Sequence, residues 1–200
     1  MAPLIDLVGQ RLDDNAISQL SRQLGVDEST TRQAVPAALT ALLGGLSQEA
    51  ANPTRAQQLA GALSRDHDGS VLDDLSGFLL NSQNPLRTQG AGILGHVFGN
   101  RQPQVQQQVG RAAGLDAATA GRLLMLLAPL VLGALGRAQR QRGLDPGGIS
   151  DVLSQERQRV EQQQPQNRGL LNVLLDRDGD GQIIDDLAGM AGGFLGGGRR

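Results

Sequence analysis

Leu123-Leu124-Met125-Leu126-Leu127-Ala128-Pro129-Leu130-Val131-Leu132-Gly133-Ala134-Leu135 is a run of thirteen residues without a charge, set between Arg122 and Arg137. A segment this apolar must be covered on every side, by protein or by lipid. Thirteen residues fall short of the roughly 20 that a bilayer-crossing helix needs, so the run is expected to be the buried central helix of an all-α protein.

Composition supports that reading. Among 200 residues there is no Cys, Trp or Tyr and only three Phe, so the core must be built from Leu, Ala, Val and Ile, which suits helix-on-helix packing better than a sheet sandwich. Without Cys, nothing argues for secretion or redox chemistry. All basic charge is Arg, and a net charge of -2 with pI near 5.6 gives no general attraction to nucleic acid or acidic membrane. The start, Met1-Ala2-Pro3-Leu4-Ile5-Asp6-Leu7, lacks the basic residues and apolar run of a secretory signal, so the expected location is the cytoplasm, with no membrane span.

Outward from the central run, apolar residues recur at helical spacing. Leu4, Leu7, Val8 and Leu12 form a first helix, and Asp13-Asp14-Asn15 stops it and caps the next, which carries Ile17, Leu20 and Leu24 to Gly25. Asp27 caps a long apolar helix through Val35, Leu39 and Leu43, expected to kink at Pro36 and to end at Gly44-Gly45. Asn52-Pro53 opens another, Asn84-Pro85 breaks the chain again, and a helix with Ile93, Leu94, Val97 and Phe98 comes next. The Arg/Gln-rich stretch from Arg137 to about 169 holds a weakly amphipathic segment, Ile149 to Val160, then Glu161 to Gly169, which reads as linker.

Three anchors recur in the same order. Gly25-Val26-Asp27 returns as Gly114-Leu115-Asp116, and Leu43-Gly44-Gly45-Leu46 returns at the same spacing as Leu132-Gly133-Ala134-Leu135. Ser64-Arg65-Asp66-His67-Asp68-Gly69-Ser70-Val71-Leu72-Asp73-Asp74-Leu75 returns as Asp176-Arg177-Asp178-Gly179-Asp180-Gly181-Gln182-Ile183-Ile184-Asp185-Asp186-Leu187. Such order predicts an internal duplication: a helical repeat over 1–90, and a second over 91–200 containing the Arg/Gln-rich insertion, the acidic loop 176–187 and a Gly/Arg tail at 196–200.

The second acidic loop is the one candidate metal site. Five carboxylates lie in twelve residues, and the D-x-D-x-D-G run turns alternate oxygens toward one point while glycine permits the bend. Asp176, Asp178 and Asp180 would supply carboxylates to Ca2+ or Mg2+ and Gln182 its carbonyl. The bidentate Glu expected at the twelfth position is Leu187, so Asp185 and Asp186 would have to close the site from one or two residues too early. In the first loop Ser64 replaces the first Asp, and Ser70 with Asp73 is expected to form a capping box rather than a site.

Other motifs are weaker. Ala16 to Val35 has helix-turn-helix spacing, but Asp27 and Glu28 lead its second helix and only Arg32 and Gln33 could read bases. Gly90-Ala91-Gly92-Ile93-Leu94-Gly95 succeeds no strand, so it is expected to serve helix packing rather than a dinucleotide. His67 and His96 have no nucleophile or paired acid at suggestive spacing, and no Walker lysine exists in a chain without Lys. The expected role is non-catalytic, with no small-molecule substrate: a structural or protein-interaction module that self-associates through Ile183, Ile184, Leu187, Met190, Phe194 and Leu195, or alternatively a calcium sensor or buffer, or a DNA-binding protein.

The layout resembles the bacterial family catalogued as domain of unknown function 937, related to the YidB-like helical proteins. The residues that carry the resemblance are Leu24 to Asp27, Gly114 to Asp116, Leu42 to Leu46 and, above all, Asp66 to Leu75. It extends from Leu4 to about Leu195. It implies an all-helical fold and supplies no catalytic residues.

Overall fold

Every helix whose start is resolved by a side-chain cap begins where the sequence offers a short polar residue. In the computed structural model, which describes residues 3–81 and 84–163, α1 is Leu4–Arg11, α2 Asp14–Leu24, α3 Glu28–Ala50, α4 Pro53–Asp66, α5 Leu75–Leu80, α6 Pro85–Phe98, α7 Gln102–Ala113, α8 Ala117–Arg142 and α9 Pro146–Gln163. No strand occurs among the described residues. The Asp13 carboxylate accepts the Ala16 amide at 2.9 Å, and Asn52 accepts those of Thr54 and Arg55 ahead of Pro53.

The turn into α3 and the turn into α8 have one geometry. Gly25 and Gly114 take φ of 73° and 67°, the left-handed region open to glycine, and let the next residue's amide bond back to Ser21 and Gly110. Asp27 then accepts the Thr30 amide at 2.8 Å and its hydroxyl at 2.6 Å, and Asp116 accepts the same two groups of Thr119 at 2.9 and 2.6 Å. A third turn of this kind joins α8 to α9. Gly143 has φ 62°, the Leu144 amide reaches Gln139, and Asp145 accepts from Gly148 at 2.7 Å.

α3 and α8 cross at the centre, and the other long helices wrap them: α1, α4, α6 and α7 against α8, and α7 and α9 against α3. Both are buried around nearly their whole circumference, as their uniform apolarity requires. The core is aliphatic, with Leu20, Leu42, Leu63, Leu123, Leu127 and Leu130 fully enclosed and Phe78 and Phe98 as its aromatic members.

Two helices run further than the sequence suggested. α3 does not stop at Gly44-Gly45 but continues to Ala50, and it passes through Pro36. Neither glycine takes positive φ; Gly45 instead lies where a Cβ would stand 2.5 Å from Val97 Cγ1 and 2.6 Å from the Phe98 ring. α8 incorporates the polar flanks of its apolar run and reaches 26 residues. By length and composition it is therefore long and apolar enough to cross a membrane, and 83% of its most apolar window is buried inside the protein. The start of the Arg/Gln-rich stretch is the end of α8, and Ile149, Leu153 and Val160 are buried along α9, which extends past Glu161 to Gln163.

Candidate functional site

The first acidic loop shows how this motif is used. α4 ends at Asp66, Gly69 takes φ 85°, a single 3-10 turn spans Ser70–Leu72, and α5 starts after Asp74. Asp68 accepts the Ser70 amide at 2.9 Å; the Ser70 hydroxyl and amide, with Arg140 and Arg137 nearby, hold its carboxyl below the ordinary aspartate range. Asp73 pairs with Arg137 at 2.5 Å, and Asp74 caps α5 by accepting the Gly77 amide at 2.9 Å. The capping box expected of Ser70 and Asp73 does not form, because the turn restarts after Leu72 and hands the capping role to Asp68 and Asp74. Three neighbouring carboxylates thus point to three different partners, and among the described residues no three His, Asp or Glu side chains could hold one metal ion.

This loop is seated on small residues of α8. A Cβ on Gly133 would stand 2.7 Å from Val71 Cγ1 and 3.4 Å from Gly69 Cα, and one on Gly136 would overlap the His67 carbonyl oxygen. Arg137, one residue on, closes the seat by donating to the Gly69 carbonyl at 2.7 Å as well as to Asp73. The His67 side chain is only 7% exposed, and burial pushes its pKa below 6.5 although the Asp66 charge pulls it up.

Beside the loop, α3, α4 and α6 enclose a cleft of about 470 Å³ with Leu46, Leu59, Ile93, Val97 and Leu132 on its walls. Glu49, Arg55, Asp66, His67 and His96 also line it, and Arg55 pairs with Glu49 at 2.7 Å. The two histidines, isolated in sequence, therefore share one cavity. Nothing in their spacing could signal this, because the packing of α6 and α4 against α8 brings them together. The cleft can take an apolar group and offer hydrogen bonds to a polar end.

The remaining candidate residues divide cleanly. Asp176, Asp178, Asp180, Gln182, Asp185 and Asp186, with the apolar residues Ile183 to Leu195, lie outside the described residues. Arg32, which would have to read bases, is paired with Asp14 at 2.8 Å and lies 3.8 Å from Glu28. Of the glycines in the G-x-G-x-x-G run, Gly90 serves packing, since a Cβ there would overlap the Met125 carbonyl oxygen of α8, whereas Gly92 and Gly95 face open space.

No curated protein and no solved structure matches the chain. A family model does match, over residues 6–138, and so stops inside α8, short of α9 and of the second acidic loop. With that match covering well over half of its length, the chain belongs to the bacterial protein family of unknown function DUF937.

Proposed function

We propose that this protein is a non-catalytic structural or protein-interaction module, built on a duplicated helical unit and carrying a divalent-cation site in its second acidic loop. The observation that carries the reading is the fate of charge in the first loop. There a cation is supplied by the protein itself, since Arg137 bridges Asp73 and the Gly69 carbonyl. In the duplicated register, set by Asp27 and Asp116, the residue of α3 that corresponds to Arg137 is Gln48, which is neutral. The second loop gains Asp176 and has no arginine at that place, so its five carboxylates need a positive charge from elsewhere. Ca2+ or Mg2+ held by Asp176, Asp178, Asp180 and the Gln182 carbonyl, with Asp185 or Asp186 closing the shell, supplies it.

The residues C-terminal to that loop support the interaction role. Ile183, Ile184, Leu187, Met190, Phe194 and Leu195 form an apolar set large enough to bury against the core or against a second copy. Calorimetric titration with calcium and with magnesium tests the site. Heat and a raised melting temperature are expected for the full chain and a loss of both for Asp176→Ala; an unmodified chain that gives neither sinks the cation reading.

A further inference from the structure

We propose that the segment Asp178 to Leu187 docks on α3 across Gly44, Ser47 and Gln48, as the segment Asp66 to Leu75 docks on α8 across Gly133, Gly136 and Arg137. The inference rests on reading the chain as duplicated, and it adds a place for the acidic loop that the cation reading does not require.

Three features of the described helices carry it. α3 and α8 are entered by turns of matching dihedrals and matching Asp–Thr caps, which fixes the register between them residue by residue. Gly44 thereby corresponds to Gly133, Ser47 to Gly136 and Gln48 to Arg137. α4 and α9 correspond in turn. Each opens on a capping residue followed by proline, Asn52-Pro53 and Asp145-Pro146. Each then buries one face at identical intervals, Ala56, Ala60, Leu63 and His67 in and after α4 against Ile149, Leu153, Glu156 and Val160 in α9. The pair is exchanged across the centre: α4 packs on α8, and α9 packs on α3. The chain leaving α4 passes directly onto the α8 seat, so the chain leaving α9 starts beside the corresponding face of α3.

The seat on α3 has the features of its counterpart. Gly44 and Ser47 are buried small residues, and the buried Gln48 Oε1 accepts no hydrogen bond. A buried acceptor without a donor calls for a partner, and a backbone amide of the docking loop is the group that the geometry of the first loop brings to this position. Length permits the return. Residues 164–177, fourteen of them, lie between the end of α9 and Asp178, and span up to about 46 Å when extended.

The chain has no Cys, so introduced pairs report cleanly. Gln48→Cys with Asp185→Cys is compared in the full chain with Arg137→Cys and Asp73→Cys, each treated with a short bismaleimide in calcium and in EDTA. The expected result is an intramolecular product in both pairs, unchanged by dilution and lost in urea. Formation in calcium alone or in both buffers supports docking, and calorimetry decides the cation separately. If the first pair gives no product in either buffer, or only dimers that vanish on dilution, while the second pair crosslinks within one chain, the docking proposal is overturned.

Discussion

Asp27 and Asp116 each make the same two hydrogen bonds to a threonine, and each carboxyl is held below its ordinary range chiefly by bonds within its own cap, to Ser29 and Thr30 in the one case and to Thr119 in the other. A depressed carboxyl stabilises the fold above its unfolded pKa near 4 and loses that contribution as pH falls through the folded value. The melting temperature is therefore expected to drop steeply below pH 4. Asn is as good a cap as Asp but does not titrate, so Asp27→Asn with Asp116→Asn should leave stability at pH 7 nearly unchanged and flatten the acid limb in scanning calorimetry. An acid limb as steep as that of the unmodified chain would refute the assignment. Both caps were legible in the sequence because a short acid after Gly-Val or Gly-Leu has one good use. The same pattern stands at Gly143-Leu144-Asp145, where the polar residues around it mask the turn by giving the stretch the composition of a linker.

Gly136 decides whether the first loop can lie on α8. Glycine inside a helix costs about 1 kcal/mol relative to alanine, so Gly136→Ala would stabilise an open helix. Here the added methyl meets the His67 backbone carbonyl, which cannot rotate away as a side chain could. Overpacking of that kind costs about 3 kcal/mol, so a net loss of about 2 kcal/mol is expected in urea unfolding. A stability gain would mean that the loop does not press on α8.

At the scale of elements, the limits of α3 and α8 were the least legible features. Glycine pairs end helices when one of them turns left-handed, and Gly45 instead makes room for Val97 and Phe98, residues 52 and 53 positions away. Local sequence carries no sign of a partner that distant. α9 was legible as a helix from Ile149, Leu153 and Val160, but its third buried position was not, because it is Glu156. That side chain is 9% exposed and its Oε2 has no hydrogen-bond partner, whereas the corresponding residue of α4 is the fully enclosed Leu63. A buried carboxylate oxygen without a donor is a cost that an apolar side chain of similar length removes. Glu156→Leu is expected to raise unfolding stability by about 1–3 kcal/mol, read as a shifted urea midpoint at constant slope. A loss of stability would show that Glu156 holds a partner essential to the fold.

At the scale of the molecule, the all-helical architecture was legible because its two central helices advertise their burial, whereas the relation between the two halves depends on which helix covers which. α4 lies on α8 and α9 on α3, so each half of the chain is completed by the other, and the described surface leaves Leu80, 68% exposed, as its one large apolar side chain in solvent. Further apolar surface for association must then come from the C-terminal residues Ile183 to Leu195, whose placement is coupled to the acidic loop that precedes them. A cation that binds only the folded loop adds RT ln(1 + [L]/Kd), about 2.7 kcal/mol at a hundredfold excess over Kd, which for a chain of this size raises the melting temperature by about 5–10 °C. The rise should disappear in Asp176→Ala, the residue that distinguishes the second loop from the first, and persist in Asp68→Ala, whose loop takes its positive charge from Arg137. If self-association uses the same segment, the mass measured by light scattering will change with calcium in the unmodified chain and in Asp68→Ala but not in Asp176→Ala. A calcium-independent mass in all three, with the thermal shift intact, would separate the two roles and leave the loop as a purely internal clasp.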